Sequence, residues 1–348
     1  VTEEGNHQRC FLDRGLSMDR GVSTAIVLTI MMTLSSLISV FPAVENSQLV
    51  SDDESLPTSS KALIIWSGTM DINNDFTVAA GDELRIYAGT TIQLGPGVRI
   101  YVDGKVVADG TAADPITVQV QSGFTWHNGF QFNSTSRNRG SSLRNVTFND
   151  AQFGITIYNS DPVIEDGLFN NVDLVAIDLF DWANPVIRRT TFAGGGQDVH
   201  GSMTNWRYGI GLSIGASSAP FVEDVNFTNQ ITRAISYWGN SGGVIRGVNI
   251  TNVGGATMNI SAAIFVEDSL PLIEDVIISK CDNGIYVIHA TDSLITRPVF
   301  RDVVVGDSQY SAVMMTKSDR SNYSTYMMGR FHNLEVFGTG GPNSSSPG

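Results

Sequence analysis

The chain has 348 residues with a formal net charge of −14, and only 16 % of them are charged. Phosphate-backbone binding needs a basic face, so nucleic acid is excluded as a partner. With 35 glycines and few charges, the composition suits a turn-rich β protein better than a helical one.

The N-terminus reads as an address. Residues 1–17 are an upstream extension, with Met18 a candidate start. Residues 18–44 contain the uncharged run VSTAIVLTIMMTLSSLISVFPAV, predicted as a hydrophobic helix. It has the layout of a signal peptide with a candidate cleavage site near Ala43. It is also long enough for an uncleaved membrane anchor, which needs about 20 residues. Both readings place the protein outside the cell or on its surface, with membrane contact only through residues 22–44 if uncleaved. Residues 45–62 form a polar linker. Seven N-x-Ser/Thr triplets agree with export as candidate glycosylation sites: Asn133, Asn145, Asn226, Asn249, Asn259, Asn322 and Asn343. Cleavage would leave Cys281 as the one cysteine, expected to be buried and inert.

An internal repeat then dominates. The runs GITIYN (154–159), AIDLFD (176–181), GIGLSI (209–214), AISYWG (234–239), AIFVED (263–268), GIYVIH (284–289) and AVMMTK (312–317) each begin small, then aliphatic, then alternate. Between them lie DPVIEDGLF, NPVIRRTTF, APFVEDVNF, GGVIRGVNI, LPLIEDVII and DSLITRPVF. Two motifs in fixed phase, about 22 residues apart before insertions, predict a solenoid of stacked parallel strands. Period-2 alternation puts Ile155, Ile177, Ile210, Ile235, Ile264, Ile285 and Val313 in one inward column. A second holds Ile157, Leu179, Leu212, Tyr237, Val266, Val287 and Met315. Outward, Glu165, Arg188, Glu223, Arg246 and Glu274 alternate in sign, as stacked charges must. Their neighbours read Asp166, Arg189, Asp224, Gly247, Asp275 and Arg297.

The earlier stretch makes the likeness specific. TVAAGDELRIYAGTTI, then VDGKVVADGTAADPITV, then Trp126-His127-Asn128-Gly129-Phe130 resembles the first rungs of pectin-lyase-like surface proteins with parallel β-helix repeats. The resemblance implies an all-β, single-stranded, right-handed parallel β-helix over residues 63–337, followed by a Gly/Ser/Pro-rich tail at 338–348. ALIIWSGTM (62–70) is expected to cover the first rung.

Function is less legible. Insertions at 193–208 and 251–262 leave from one corner and are expected to wall a groove. The outward columns beside it are Tyr158, Phe180, Ser213, Trp238, Glu267, Ile288, Thr316 and Thr156, Asp178, Gly211, Ser236, Phe265, Tyr286, Met314. Tyr158, Phe180, Trp238, Phe265 and Tyr286 are the candidate carbohydrate platform, since flat apolar rings suit sugar C–H groups. Asp268, His289 and Lys317 are the candidate acid–base trio, without a nucleophile beside them. Metal-ligand spacing is absent, and calcium lacks a GGxGxD motif. The sequence thus favours a non-enzymatic surface β-helix that binds glycans or envelope components, or serves as a rigid stalk. The alternative is a polysaccharide lyase or glycoside hydrolase acting beside the longer insertion.

Overall fold

Strands of three to ten residues, most bounded by Gly, Asn, Asp or Pro, wind into successive rungs. The computed structural model describes residues 61–196, 208–255, 261–289, 297–317 and 329–338, all within the unit Ser59–Gly348. The N-terminal segment 18–44 lies outside them, as do Asn259, Asn322 and Asn343. Among the described residues no helix is long and apolar enough to cross a membrane.

Each rung has three faces. In one complete rung, face 1 is Val163–Glu165, face 2 is Leu168–Val172 and face 3 is Val175–Phe180. Face 3 is a ten-stranded parallel sheet whose order in space follows order in sequence. Faces 1 and 2 together make a seventeen-stranded sheet. From Phe221–Gln230 onward one continuous strand carries both.

The corner between faces 1 and 2 is a single residue in the left-handed region. Asn145, Asp166, Arg189, Asp224, Gly247, Asp275, Asp302 and Asn333 hold it in successive rungs, with φ between 46° and 66°. Short polar side chains and glycine tolerate that conformation best. A second such column turns face 2 toward face 3 and includes Asp150, Asn171, Asn229, Asn252 and Asp307. Its amides bond along the axis, Asn171 donating to Asp150 at 2.7 Å and Asn252 to Asn229 at 2.6 Å.

Inside, like stacks on like. Phe148, Phe169, Phe192 and Phe227 lie in consecutive rungs of face 2, with centroids 4.9, 5.2 and 4.4 Å apart and planes within 9° of parallel. Ile164, Ile187, Val222, Ile245, Ile273 and Phe300 fill the face 1 column. A small-residue column on face 3 makes room for the phenylalanines. A Cβ at Gly154 would come within 2.7 Å of the Phe169 ring, and one at Gly211 within 2.5 Å of Phe227. Cys281 is buried, which pushes its thiol up to about 11.

Three sequence expectations are corrected. The strand Ile210–Ile214 pairs two residues further on than its motif suggests. Leu212 and Ile214, not Ile210 and Leu212, join Ile177 and Leu179. Ser213 therefore belongs beside Asp178 and Ser236, and Gly215 takes its place level with Phe180 and Trp238. A slip of two leaves inward and outward parity unchanged, so alternation alone cannot detect it. The last repeat is RPVFRD rather than DSLITR. Val299 pairs with Leu272, which puts Asp302 and not Arg297 at the corner level with Asp275. Pro298 then matches Pro271, and Phe300 fills the core position. Finally, Leu63–Trp66 and Thr69–Ile72 do not cap the coil. They pair in parallel with Glu83–Tyr87 and Thr91–Leu94 as a first rung.

Candidate functional site

The outer surface of face 3 gathers most of the residues singled out by sequence. The expected groove walls at 193–208 and 251–262 fall mostly on residues 197–207 and 256–260, which lie outside the described residues, as do 290–296 and 318–328.

Two columns run along face 3. The edge column holds Tyr158, Phe180, Gly215, Trp238, Glu267 and Ile288. Tyr158 and Phe180 stack with centroids 5.0 Å apart and planes 14° from parallel. Rings stacked along the axis spend their faces on each other. Trp238 breaks the series, meeting Phe180 edge-on at 5.8 Å. A Cβ built at Gly215 would stand 2.0 Å from both Cε2 and Cζ2 of Trp238 and 2.6 Å from Nε1. Those distances place it over the ring, so the indole lies flat on the glycine and turns its other face away from the backbone. Its Nε1 donates to Ser213 Oγ at 3.4 Å, and the indole remains partly exposed. One rung on, level with it, stands the partly exposed Glu267.

The neighbouring column, Thr156, Asp178, Ser213, Ser236 and Phe265, points outward yet is buried. Phe265 is 6 % exposed because the Arg233 guanidinium lies 3.5 Å over its ring and Tyr286 meets it edge-on at 5.4 Å. Arg233 donates to Ser236 Oγ at 3.0 Å, while its Nε has no hydrogen-bond partner. Burial pulls this guanidinium down to about 10, against the pull of Glu267 and Tyr286. Tyr286 is half-buried, and Thr316 donates to its hydroxyl at 3.2 Å.

The five predicted platform residues therefore divide. Tyr158, Phe180 and Trp238 form one continuous aromatic edge, whereas Phe265 and Tyr286 pack around a buried arginine. Sequence reading overlooked Arg233, although a charge inside the AISYWG approach to an aliphatic strand was its signal. It also overlooked Gly215, which carries no signal until register is known.

Of the acid–base trio, the side chains of His289 and Lys317 lie outside the described ones, and only backbone register places them. Asp268 lies one residue past the Glu267–Ile288 pair, and His289 pairs with Lys317 in backbone register. Among the described residues no group of three His, Cys, Asp or Glu side chains could hold a metal ion. Of the candidate glycosylation sites, Asn226 and Asn249 are exposed and stacked, Asn249 donating to Asn226 at 3.1 Å. Asn145 occupies a corner and donates to Gly110 O at 3.1 Å, and Asn133 donates to Asp103 at 2.9 Å.

Face 1 carries a charge ladder longer than sequence registration revealed. Asp109, Arg144, Glu165, Arg188, Glu223, Arg246, Glu274 and Arg301 alternate without a break. Arg144–Glu165 is 2.9 Å, Arg188–Glu223 is 3.3 Å and Arg301–Glu274 is 2.7 Å, and Arg246 also pairs with Glu223. The Arg144 guanidinium first, then Arg189 and Arg188, hold the Glu165 carboxyl below its ordinary range. Such mutual neutralisation suits a solvated scaffold face.

Parallel rungs, one-residue corners and stacked interior columns define a parallel β-helix. Residues 128–326 match the family described as right handed beta helix region, and the chain belongs to it. No curated protein matches the chain. Among solved structures it is similar to the catalytic domain of a GH87 alpha-1,3-glucanase, at 12 % identity and TM-score 0.51, covering 87 % of this chain and 67 % of that one. It is also similar to an alginate lyase from Paenibacillus sp. str. FPU-7, at 13 % identity and TM-score 0.48, covering 77 % and 99 %. These are likenesses of fold.

Proposed function

We propose that this protein is an extracellular or cell-surface glycan-binding β-helix whose contact surface is the aromatic edge of face 3. The observation that carries the reading is Trp238 lying flat on Gly215 while the indole stays partly exposed. An aromatic face held rigidly in that way suits the apolar C–H side of a sugar ring. Glu267, level with it one rung on, supplies an acceptor for sugar hydroxyls. Tyr158 and Phe180 extend the edge at the roughly 4.8 Å strand spacing, giving an extended chain further contact area. The binding role is non-enzymatic, with residues 18–44 as the export signal or anchor and envelope glycans as partners.

A second reading rests on the line of Asp268, His289 and Lys317 in successive rungs. It makes the same edge the cleft of a polysaccharide lyase or glycoside hydrolase. A glycan array followed by reducing-end and unsaturated-product assays separates the two. Binding without products, lost at least tenfold in Trp238→Ala, supports the binding module. Products that vanish in Asp268→Asn replace it with the enzyme. No bound glycan, or affinity indifferent to Trp238→Ala, ends the proposal.

A further inference from the structure

A groove of about 480 Å³ opens on the outside of face 1 in the first rungs, remote in sequence from Trp238. Four successive rungs each contribute charge to it. Lys61 precedes the first strand, Asp82, Glu83 and Arg85 belong to the second rung, Lys105 opens the third-rung strand, and Arg139 follows the 3-10 turn Ser134–Ser136. Leu63, Glu83 and Lys105 are register partners, which is why these charges meet.

Both carboxylates are already engaged. Asp82 Oδ1 accepts the Ala62 N–H at 2.9 Å. Glu83 accepts from Arg85 at 2.6 Å and from Lys105 at 3.2 Å. Four cations against two carboxylates leave a surplus of two positive charges in a chain whose net charge is −14. Those charges are also available. Lys61 and Arg139 are exposed, and Arg139 uses its Nε on Thr135 O at 2.6 Å.

We propose that this groove binds a phosphate dianion, either free or carried as a monoester on a sugar-sized body. A surplus of two charges matches a dianion better than a single carboxylate. Planar guanidinium forks and mobile ammonium groups are the side chains that hold phosphate oxygens. The volume falls within the roughly 300–1,000 Å³ range of small-molecule sites, so it has room for more than the phosphate group. Leu63, which also lines the groove, offers apolar surface to that remainder.

Calorimetry on the full chain tests this with inorganic phosphate, glucose 6-phosphate and glucose at constant ionic strength. The working pH is about 7.5, above the second phosphate pKa of about 6. The proposal expects glucose 6-phosphate to bind with a Kd of about 1 mM or tighter and glucose not to bind. Equal binding of inorganic phosphate identifies the free ion as ligand, and weaker binding identifies the monoester. The double variant Lys61→Gln, Arg139→Gln should weaken binding at least tenfold with an unchanged melting curve. Added salt should weaken it too. Absence of binding by both phosphates, or binding that survives the double variant, overturns the proposal and leaves the face 3 reading untouched.

Discussion

The Trp238 indole rests on the α-carbon of Gly215, in the space a side chain there would occupy. Gly215→Ala drives a methyl group to 2.0 Å from two ring atoms, so the indole must move. A partly exposed ring can swing away cheaply, so stability should fall by no more than about 1 kcal/mol. The platform, however, is lost. Tryptophan fluorescence should change and glycan affinity should drop as far as in Trp238→Ala. A variant that keeps full affinity would show that the flat pose does not matter.

His127 predicts a pH dependence. The ring is fully buried, accepts the Gly129 N–H on Nδ1 at 2.9 Å, and therefore carries its proton on Nε2, which donates to Asn149 O at 3.1 Å. Burial lowers its pKa from 6.5 to about 4. The unfolded chain takes up a proton below about pH 6.5 while the folded chain refuses it. The associated stability is whole above that pH, declines as pH falls, and is exhausted near pH 4. It amounts to about 3 kcal/mol. Melting temperature followed from pH 7 to 4 should show this slope, and His127→Gln should remove that share of it. An unchanged slope in the variant refutes the assignment.

The ladder on face 1 should be worth little per rung. Glu223 is shared between Arg188 and Arg246, so Glu223→Gln removes two partly exposed pairs. Each is worth roughly 0.2–1 kcal/mol in such a setting. Denaturant titration should give a loss of about 1 kcal/mol at low salt that shrinks in high salt. Glu223→Lys, which stacks three positive charges in a row, should cost more.

The interior columns should be far less forgiving. Phe192 is fully buried between Phe169 and Phe227, and Phe192→Ala should cost about 3–5 kcal/mol. Ile264→Asp places an unpaired charge between Ile235 and Ile285, and should melt the coil around it. Hydrogen exchange should locate that melting in the rungs nearest residue 264. Native protection there would contradict the inward assignment.

Much of the fold was legible because a solenoid writes its three-dimensional neighbours as a one-dimensional repeat. The motif PVIED recurs since each strand pairs with its own equivalent one rung away. Glu165, Arg188 and Glu223 alternate in sign since they touch. The aromatic edge was partly legible for the same reason, Tyr158 and Phe180 being register partners in adjacent repeats. The two-residue slip at Ile210–Ile214 was not, and neither was the substitution of RPVFRD for DSLITR. In both places an insertion breaks the count and either phase keeps apolar residues inside.

The amino-acid sequence by itself determined the coil, its parity and its stacked columns, because those properties depend only on which residue types recur and how far apart. Tertiary structure alone decided which outward side chains stay available. Phe265 and Trp238 are both outward aromatics. One lies beneath Arg233, three residues before its register partner Ser236, and the other lies partly exposed over Gly215 of the preceding rung. Exposure is a sum over neighbours that are distant along the chain, and no local pattern encodes that sum.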